Sequence, residues 1–305
     1  MSTLRIRLFG SFELERGGQP FGRFPSRKVR DLFAYLALNR HTTHSREHLA
    51  SLFWGDSDDE KARHSLNTAL WRLNGVLETH AGQRGRGYLR VTPQEIGFNS
   101  TADLCLDVAE FESRCALAKH ADTPEARATL HGQAVAFYSG DLLPDCYEDW
   151  CDLERERLQV TYLGALAGLV SYHAKHKEHD AAIQYARRIL ACDSLREEIH
   201  RNLIQLYLAD GQPAAALRQY RQCEEVLRRE LAVAPMRETQ ALLARILSGE
   251  QTRSPRTTHI AGTARGEASL LDDITRELAA TVALVREAAA ACNQMQARLQ
   301  ELAAA

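Results

Sequence analysis

The sequence predicts a mainly α-helical protein of 305 residues, with a small mixed α/β region at its N-terminus and a long single helix at its C-terminus. Three observations predict this organisation. Apolar residues recur with helical spacing along most of the chain, and two segments near residues 180 and 214 are similar at a shift of 34 positions. Residues 269–305 carry an unbroken heptad pattern, which is typical of a long helix.

The first hundred residues begin with a strand pattern and continue with helical ones. The segment LRIRLFGSFELERGG, residues 4–18, alternates apolar and polar residues and ends in two glycines, which predicts a strand pair closed by a turn. Ser26 and Ser45 stand before the helical patterns RKVRDLFAYLAL and REHLASLFW, and serine is a preferred helix N-cap. The inward faces predicted for these two helices consist of Val29, Leu32, Phe33, Leu36, Leu49, Leu52 and Phe53.

A third helical pattern, ARHSLNTALWRLNGVL at residues 62–77, has two different faces. At 100° per residue the apolar face consists of Ala62, Leu66, Ala69, Leu70, Leu73 and Leu77. The opposite face consists of Lys61, His64, Thr68, Trp71 and Arg72. An exposed tryptophan among basic and hydrogen-bonding side chains is unusual for a face that only meets solvent. Two short strand patterns follow in RGRGYLRVTPQEIGFN, so three helices and a basic hairpin predict a winged helix-turn-helix.

The motifs FGRFPSRKVRDLFAYLAL, SREHLASLFWGD, ARHSLNTALWRLNGVL and GRGYLRV occur in this order within residues 4–98. This order resembles the OmpR-type winged helix that opens bacterial regulators of the antibiotic regulatory protein (SARP) family. In that family the third helix enters the major groove of double-stranded DNA, and a Gly-x-Gly-Tyr hairpin, here residues 85–88, forms the wing. The resemblance implies that residues 1–100 are an OmpR-like DNA-binding domain.

A helix in the major groove can read base edges with its outward polar side chains. The side chains predicted to read bases are His64, Asn67, Thr68, Trp71 and Arg72. Cations beside them and in the hairpin are better placed for phosphates, where they displace counterions without reading sequence. The predicted phosphate contacts are Arg46, Lys61, Arg63, Arg84, Arg86 and Arg90. The alternative is a winged helix that binds protein instead of DNA.

Residues 101–248 are predicted to be helical and to contain a repeat. At a shift of 34 positions Ala182 corresponds to Ala216 and His173 to Tyr207, a spacing that resembles tetratricopeptide repeats. The preceding segments LDVAEF, AFYSGDLLPDCYEDW and ERERL are similar to the bacterial transcriptional activation domain that follows the winged helix in the same regulators. The resemblance implies a transcription factor that binds direct repeats near a promoter and recruits RNA polymerase.

The C-terminal part of the sequence consists of a predicted linker and a predicted coiled coil. Residues 249–268 are rich in Thr, Ser, Gly and Arg and lack periodicity, which predicts a flexible linker. Residues 269–305 carry five a/d pairs, which predicts self-association as an antiparallel pair or a higher bundle. The residues assigned to oligomerisation are Leu271, Ile274, Leu278, Val285, Cys292, Met295, Leu299 and Leu302. The alternative is a single helix that packs on the repeats.

Charge and hydropathy limit the classes of function. The net charge is −2, but residues 1–100 contain 15 Lys and Arg against 10 Asp and Glu, whereas residues 101–305 contain 23 against 30. A basic part followed by an acidic part suggests a polyanion-binding module attached to another domain. No apolar run approaches the roughly 20 residues that span a bilayer, and the N-terminus lacks a signal-peptide pattern, so we expect a cytoplasmic protein.

No motif predicts an enzyme, a cofactor or a metal site. The seven cysteines include no C-x-x-C pair, and the nucleotide-binding pattern G-x-x-x-x-G-K-[ST] is absent. The segment HSREH, residues 44–48, matches the zinc-binding pattern H-x-x-E-H, but an N-cap at Ser45 places His44 before the helix, which predicts two surface histidines. A second group of histidines, expected to form a solvated surface, consists of His173, His176 and His179.

These observations predict a sequence-specific DNA-binding transcriptional activator with a winged helix, a tetratricopeptide-like activation domain, a linker and an oligomerising helix. Its predicted partners are double-stranded DNA, RNA polymerase and a second copy of the chain. The alternative from another functional class is a helical-repeat adaptor protein whose winged helix mediates protein-protein contacts.

Overall fold

The computed structural model describes residues 3–20, 22–78, 87–99 and 102–248. The predicted linker, the predicted heptad helix with all the residues assigned to oligomerisation, and the predicted wing arginines Arg84 and Arg86 lie outside the described residues. The chain divides into two compact units. Residues up to Ser113 together with Phe137–Arg155 form the first unit, and Arg114–Ala136 with the residues from Glu156 onward form the second.

The first unit contains a four-stranded sheet in the order β3-β2-β1-β7. Its strands are β1 (Leu4–Arg7), β2 (Glu13–Arg16), β3 (Gln19–Pro20) and β7 (Leu104–Leu106). Strand β1 pairs antiparallel with β2 and parallel with β7, in the register Leu4 to Leu104. Leu4 and Ile6 are buried while Arg5 and Arg7 are exposed, which is the alternation that the sequence predicts for a strand with one buried face.

The carboxylate of Asp107 joins two distant parts of this unit. Asp107 is the first residue of α4 (Asp107–Lys119), and its Oδ2 accepts hydrogen bonds of 2.9 Å from the backbone N–H groups of both Leu8 and Phe9. Its Oδ1 accepts a 2.7 Å bond from the N–H of Val108. Burial raises the pKa of the Asp107 carboxyl, and the three backbone donors oppose this shift by stabilising the anion. The end of β1 is therefore fixed against the start of α4.

Three helices and a three-stranded sheet complete the first unit. The helices are α1 (Arg27–Leu38), α2 (Arg46–Trp54) and α3 (Asp59–Glu78), and the strands β4 (Thr43–Ser45), β5 (Leu89–Val91) and β6 (Glu95–Phe98) form an antiparallel sheet in the order β4-β6-β5. The two predicted N-caps are confirmed, because the Ser26 hydroxyl accepts from the N–H of Val29 at 3.4 Å and the Ser45 hydroxyl accepts from that of His48 at 3.1 Å.

The second unit is built from helices joined by short connections. They are α5 (Pro124–Phe137), α6 (Asp149–Lys175), α7 (His179–Cys192), α8 (Glu197–Ala209), α9 (Pro213–Leu231) and α10 (Arg237–Leu247). The last residue of α5 and the first residues of α6 belong to the first unit, as does the start of α4. The predicted mainly α-helical fold, with small sheets in the N-terminal region, is confirmed. None of the described helices is long and apolar enough to cross a membrane.

Two turns in the second unit have the same geometry at positions 34 residues apart. Lys177 and Gly211 both adopt left-handed backbone conformations, with φ of 59° and 71°. The residue after each donates its N–H to a carbonyl five positions earlier, from Glu178 to His173 at 2.9 Å and from Gln212 to Tyr207 at 2.7 Å. These bonds end α6 and α8 in the same way. The shift predicted from the sequence therefore corresponds to a repeated helix–turn–helix unit.

We expect Gly211→Ala to lower the free energy of unfolding by about 1 kcal/mol, because a residue with a Cβ is strained in the left-handed region. No atom lies within 4 Å of a Cβ built on Gly211, so backbone strain acts without a steric clash. Gly132→Ala is a matched control, because Gly132 lies inside α5 and its Cβ also meets no atom within 4 Å. We expect that control to stabilise by about 0.5–1 kcal/mol. Urea denaturation measures the free energy of unfolding of both variants. Changes of the same sign in the two variants would contradict a strained left-handed conformation at position 211.

Candidate nucleic-acid interface

Helix α3 buries one face completely and exposes the other. All six residues of the predicted apolar face are at most 4% exposed, so the prediction of this face is confirmed. On the opposite side Trp71 is 76% exposed, and His64 and Arg72 are also exposed. Trp71 therefore adds a large apolar surface to a face that is otherwise polar and basic. The exposed face of α3 is therefore the first candidate for an interaction site.

The start of α3 is fixed by an acidic cap. Asp58 lies directly before the helix, and its carboxylate accepts the N–H of Lys61 at 2.9 Å and contacts Nζ of Lys61 at 2.7 Å. These two hydrogen bonds lower the pKa of the Asp58 carboxyl. A carboxylate at this position complements the partial positive charge of the helix N-terminus. The acidic turn that precedes α3 thus stabilises the N-terminus of the helix. Its Asp58 carboxylate also holds the Lys61 ammonium at the edge of the exposed face.

The predicted base-reading residues occupy the centre and both flanks of the exposed face. His64 and Trp71 lie in the centre, opposite the buried residues. Thr68 is half-buried, and its hydroxyl donates to the His64 carbonyl within the helix at 3.1 Å. Arg72 lies on the flank toward α1, and Asn67 lies on the flank toward the first turn of α2. The structure therefore places these five side chains on one continuous surface.

A basic groove runs between α3 and the first turn of α1. Its walls are formed by Ser26, Arg27 and Lys28 on α1 and by His64, Thr68 and Arg72 on α3. Sequence analysis did not single out Arg27 or Lys28. Both cations lie in the first turn of α1, which contains no acidic residue. Because the partial positive charge of a helix N-terminus disfavours cations there, this unusual placement is the signal by which the sequence could have indicated an anion-binding role for them.

The two cations of α1 are held by neighbouring aromatic and acidic side chains. The guanidinium of Arg27 lies 5.6 Å from the ring centre of Tyr147, and Nζ of Lys28 lies 5.8 Å from that of Trp54. Nζ of Lys28 also donates to the Phe53 carbonyl and lies 3.9 Å from Glu148. These contacts fix both cations near the α3 surface, where an anion could bind.

Arg46 lies on the opposite flank, at the junction of α2, α3 and the β5–β6 turn. Its Nη1 donates to the Thr92 carbonyl at 3.0 Å, and its Nη2 donates to Oδ1 of Asn67. Arg63, one turn before Asn67, contacts Glu47 at 3.4 Å in an exposed ion pair. Exposed pairs of this kind contribute about 0–1 kcal/mol, so a phosphate could displace the Glu47 carboxylate at little cost. Arg46 is more firmly held, because two acceptors bind it at once.

Arg72 and Arg90 have no hydrogen-bond or ion-pair partner among the described residues. Arg90 is exposed on β5 opposite Gly97 of β6. The turn between these strands is formed by Thr92–Gln94, and the Thr92 N–H donates to the Glu95 carbonyl at 2.8 Å. The Arg90 guanidinium is therefore accessible at the side of the hairpin.

One histidine differs from its expected environment. Ser45 caps α2 and His44 precedes it, as expected, but His44 lies buried in β4 instead of at the surface. Its ring stacks on that of His48 with centres 6.0 Å apart, and burial lowers the pKa of His44. The reason is the pairing of β4 with β6, which turns the His44 side chain inward. In the part of the chain that the structure describes, no group of three or more His, Cys, Asp or Glu residues could hold a metal ion.

A separate groove lies in the second unit, between α7 and α9. Its cations are Arg187 and Arg218, both exposed, and the Nε of Arg187 donates to the Tyr207 hydroxyl of α8 at 3.0 Å. Gln222 adds an exposed amide group to the same groove, whereas the Gln219 amide is buried and its Nε2 lies 2.7 Å from Nδ1 of His200. No acidic side chain is among the described residues that line it. The groove is therefore positive within a part of the sequence where acidic residues exceed basic ones.

Comparison with known proteins assigns the larger part of the helical region. Residues 106–247 match the family model of the bacterial transcriptional activator domain. No curated protein matches the chain. Among solved structures, the chain is similar to Mycobacterium tuberculosis EmbR in complex with a low-affinity phosphopeptide, with a TM-score of 0.67 and 20% identity over 94% of this chain and 72% of that chain. Residues 106–247 thus match a bacterial transcriptional activator domain, as the resemblance of this region predicts, and the chain has an EmbR-like fold.

Proposed function

We propose that this protein is a sequence-specific regulator that binds double-stranded DNA through residues 1–100 and activates transcription by recruiting RNA polymerase through residues 101–248. The observation that carries the proposal is that α3 buries one face and exposes the other, with Trp71 and four polar residues on the exposed side. A transcriptional activator domain in the same chain supports the regulatory part.

The dimensions of α3 suit the major groove of DNA. Its 20 residues correspond to a length of about 30 Å, and a groove about 12 Å wide admits one α-helix. His64, Asn67 and Arg72 offer hydrogen-bonding groups to base edges, while the indole of Trp71 can pack on a thymine methyl group or on the sugar. The exposed face therefore combines hydrogen-bonding groups that can recognise bases with one large apolar side chain.

Cations on both flanks of α3 supply contacts to the phosphate backbone. Arg27 and Lys28 lie on the α1 side, and Lys61, Arg63 and Arg90 are exposed elsewhere in the same unit. Each cation that neutralises a phosphate releases counterions and adds affinity without sequence preference. The predicted wing arginines, Arg84 and Arg86, and self-association through residues 269–305 remain part of this proposal and lie outside the described residues.

The groove between α7 and α9 is the surface that we assign to RNA polymerase. Two exposed arginines and two glutamines line it, so it suits a partner segment that presents carboxylates. Stacked helical hairpins commonly present such concave surfaces to other proteins.

The competing function is that of an adaptor whose N-terminal unit binds protein. Selection of bound sequences from a random double-stranded DNA library, with the full-length chain as bait, separates the two. We expect an enriched motif that competes at least 1,000-fold better than random DNA, since specific sites exceed non-specific ones by about 10³–10⁷. Enrichment of no sequence would contradict DNA recognition and favour the adaptor.

We expect Arg72→Ala to weaken binding to the selected site by about 5- to 150-fold, because one base or phosphate contact is worth about 1–3 kcal/mol. Arg72 has no partner within the described residues, so its loss should leave the unfolding midpoint unchanged. Fluorescence anisotropy on labelled DNA measures the affinity. Arg229→Ala, an exposed arginine on α9, is the matched control. Unchanged affinity of the Arg72 variant would remove this residue from the interface.

We expect Arg187→Glu combined with Arg218→Glu to abolish activation while DNA affinity stays within about twofold, because the double change reverses the sign of the groove. The measurement is transcription by purified RNA polymerase from a template with the selected site. Arg229→Glu reverses one charge at another exposed position of α9, half the charge change of the double variant, and should activate normally. Normal activation by the double variant would show that polymerase contacts another surface.

A further inference from the structure

The segment Phe137–Arg155 belongs to the first unit, although it lies within the region that matches the activator domain. Backbone hydrogen bonds attach it to the residues that follow β1. The N–H of Leu143 donates to the Leu8 carbonyl at 2.9 Å, and the N–H of Gly10 donates to the Asp141 carbonyl at 2.9 Å. The position of this segment beside the N-terminal residues is therefore fixed by its backbone.

Arg155 holds the loop that precedes α6. Its guanidinium donates at 3.0 Å to each of the carbonyls of Leu142, Leu143 and Cys146. A planar, forked donor with three backbone acceptors leaves the loop little freedom. Tyr147 follows directly after the last of these anchored residues, and it is nevertheless 77% exposed. A rigid backbone therefore presents the Tyr147 ring at the surface.

The ring of Tyr147 lies against Arg27 in the first turn of α1. The guanidinium carbon is 5.6 Å from the ring centre, within the distance of about 6 Å that defines a cation–π contact. Such a contact attracts the cation without occupying its N–H donors, and these donors bond to no acceptor among the described residues. The carboxylate of Asp31, one turn later, is buried and accepts from Arg30 at 2.9 Å. Arg27 is thus positioned while its donors remain available.

Arg27 lines the groove whose opposite wall is the exposed face of α3, with His64, Thr68 and Arg72. A helix that fills the major groove, about 12 Å wide, has a phosphate backbone on each side. A guanidinium on the flank of such a helix can bind one phosphate with two parallel N–H donors. The place of Arg27 and its available donors therefore suit a backbone phosphate of DNA bound along α3.

We propose that the DNA interface extends beyond residue 100 to Tyr147, a positioning residue whose ring holds the Arg27 guanidinium for a backbone phosphate. The proposal rests on the DNA binding proposed above. It gives a residue within the activator-domain match a role in DNA affinity. Because phosphates carry no sequence information, Tyr147 changes affinity and leaves the base preference as it is.

Tyr147→Leu is the decisive variant, because it keeps an apolar side chain and removes the π face. We expect it to weaken binding of the full-length chain to the selected site and to random DNA alike, by about 2- to 5-fold, the range of an exposed cation–π contact. Tyr147→Phe keeps the ring face and should bind as the wild type does. Fluorescence anisotropy on labelled DNA measures each affinity. Equal weakening by both variants would assign the effect to the hydroxyl and overturn the role of the ring.

A double-mutant cycle with Arg27 separates positioning from an independent effect of Tyr147. Arg27→Ala should reduce the slope of log affinity against log salt by about one, and adding Tyr147→Leu to it should weaken binding no further. A second loss of about 2- to 5-fold in the double variant would show that Tyr147 acts without Arg27 and overturn the proposal. An unchanged salt slope in Arg27→Ala would show that Arg27 meets no phosphate, with the same consequence.

Two further measurements keep a general effect of the segment and a failed parent function distinguishable. Leu153→Ala changes another exposed large side chain of the same segment and should leave the affinity and the salt slope unchanged. The Nε–Hε signal of Arg27 in a ¹⁵N-resolved spectrum should shift in Tyr147→Leu without DNA, and an unchanged signal would disprove the contact itself. If the wild type binds neither selected nor random DNA while that signal does shift, DNA binding fails and the contact between Tyr147 and Arg27 stands.

Discussion

Burial of the apolar face of α3 is the constraint on which the proposed interface depends. Four leucines and two alanines are almost completely removed from solvent, and each buried leucine stabilises the fold by about 1.5–3 kcal/mol. Rotation of α3 by one residue, or 100°, would exchange three of these side chains for Arg63, Asn67 and Trp71. Together these burials outweigh any single contact on the exposed side, so the core decides which residues face outward. The function of α3 therefore follows from its packing.

Longer-range contacts determine which side chains from other elements lie on the two flanks of α3. The first turn of α1 brings Arg27 and Lys28 to one side, while Arg46 binds Asn67 and the β5–β6 turn on the other. Elsewhere in the same unit, the carboxylate of Asp107 binds backbone N–H groups nearly one hundred residues earlier in the chain. Such a buried, multiply bonded carboxylate tolerates little displacement, because each lost bond leaves a buried polar group unpaired.

Local patterns sufficed to predict the faces of α3 and the serine caps of α1 and α2, because each depends on residues that are close together in the sequence. The 34-residue repeat could be predicted because it is a similarity between two segments of the sequence itself. Contacts between distant segments could not be predicted. Thr92 and Arg46 are 46 residues apart, and no periodicity relates them. The burial of His44 depends on pairing between β4 and β6, and the inclusion of Phe137–Arg155 in the first unit depends on contacts with the N-terminal strands. The roles of individual interface residues remain predictions.

Local charge matters more than net charge for both proposed surfaces. Exposed charges more than about 8 Å apart are largely screened at physiological ionic strength, so the overall charge of −2 says little about either site. A polyanion at the α3 face would be bound only by cations in its own vicinity, such as Arg27, Lys28 and Arg72. The groove at Arg187 and Arg218 is positive for the same local reason, although the sequence around it is acidic. Two cations on a concave surface neutralise few phosphates, whereas a short acidic peptide can satisfy both with two carboxylates. This difference in scale is the physical basis for assigning DNA to α3 and a protein partner to the groove.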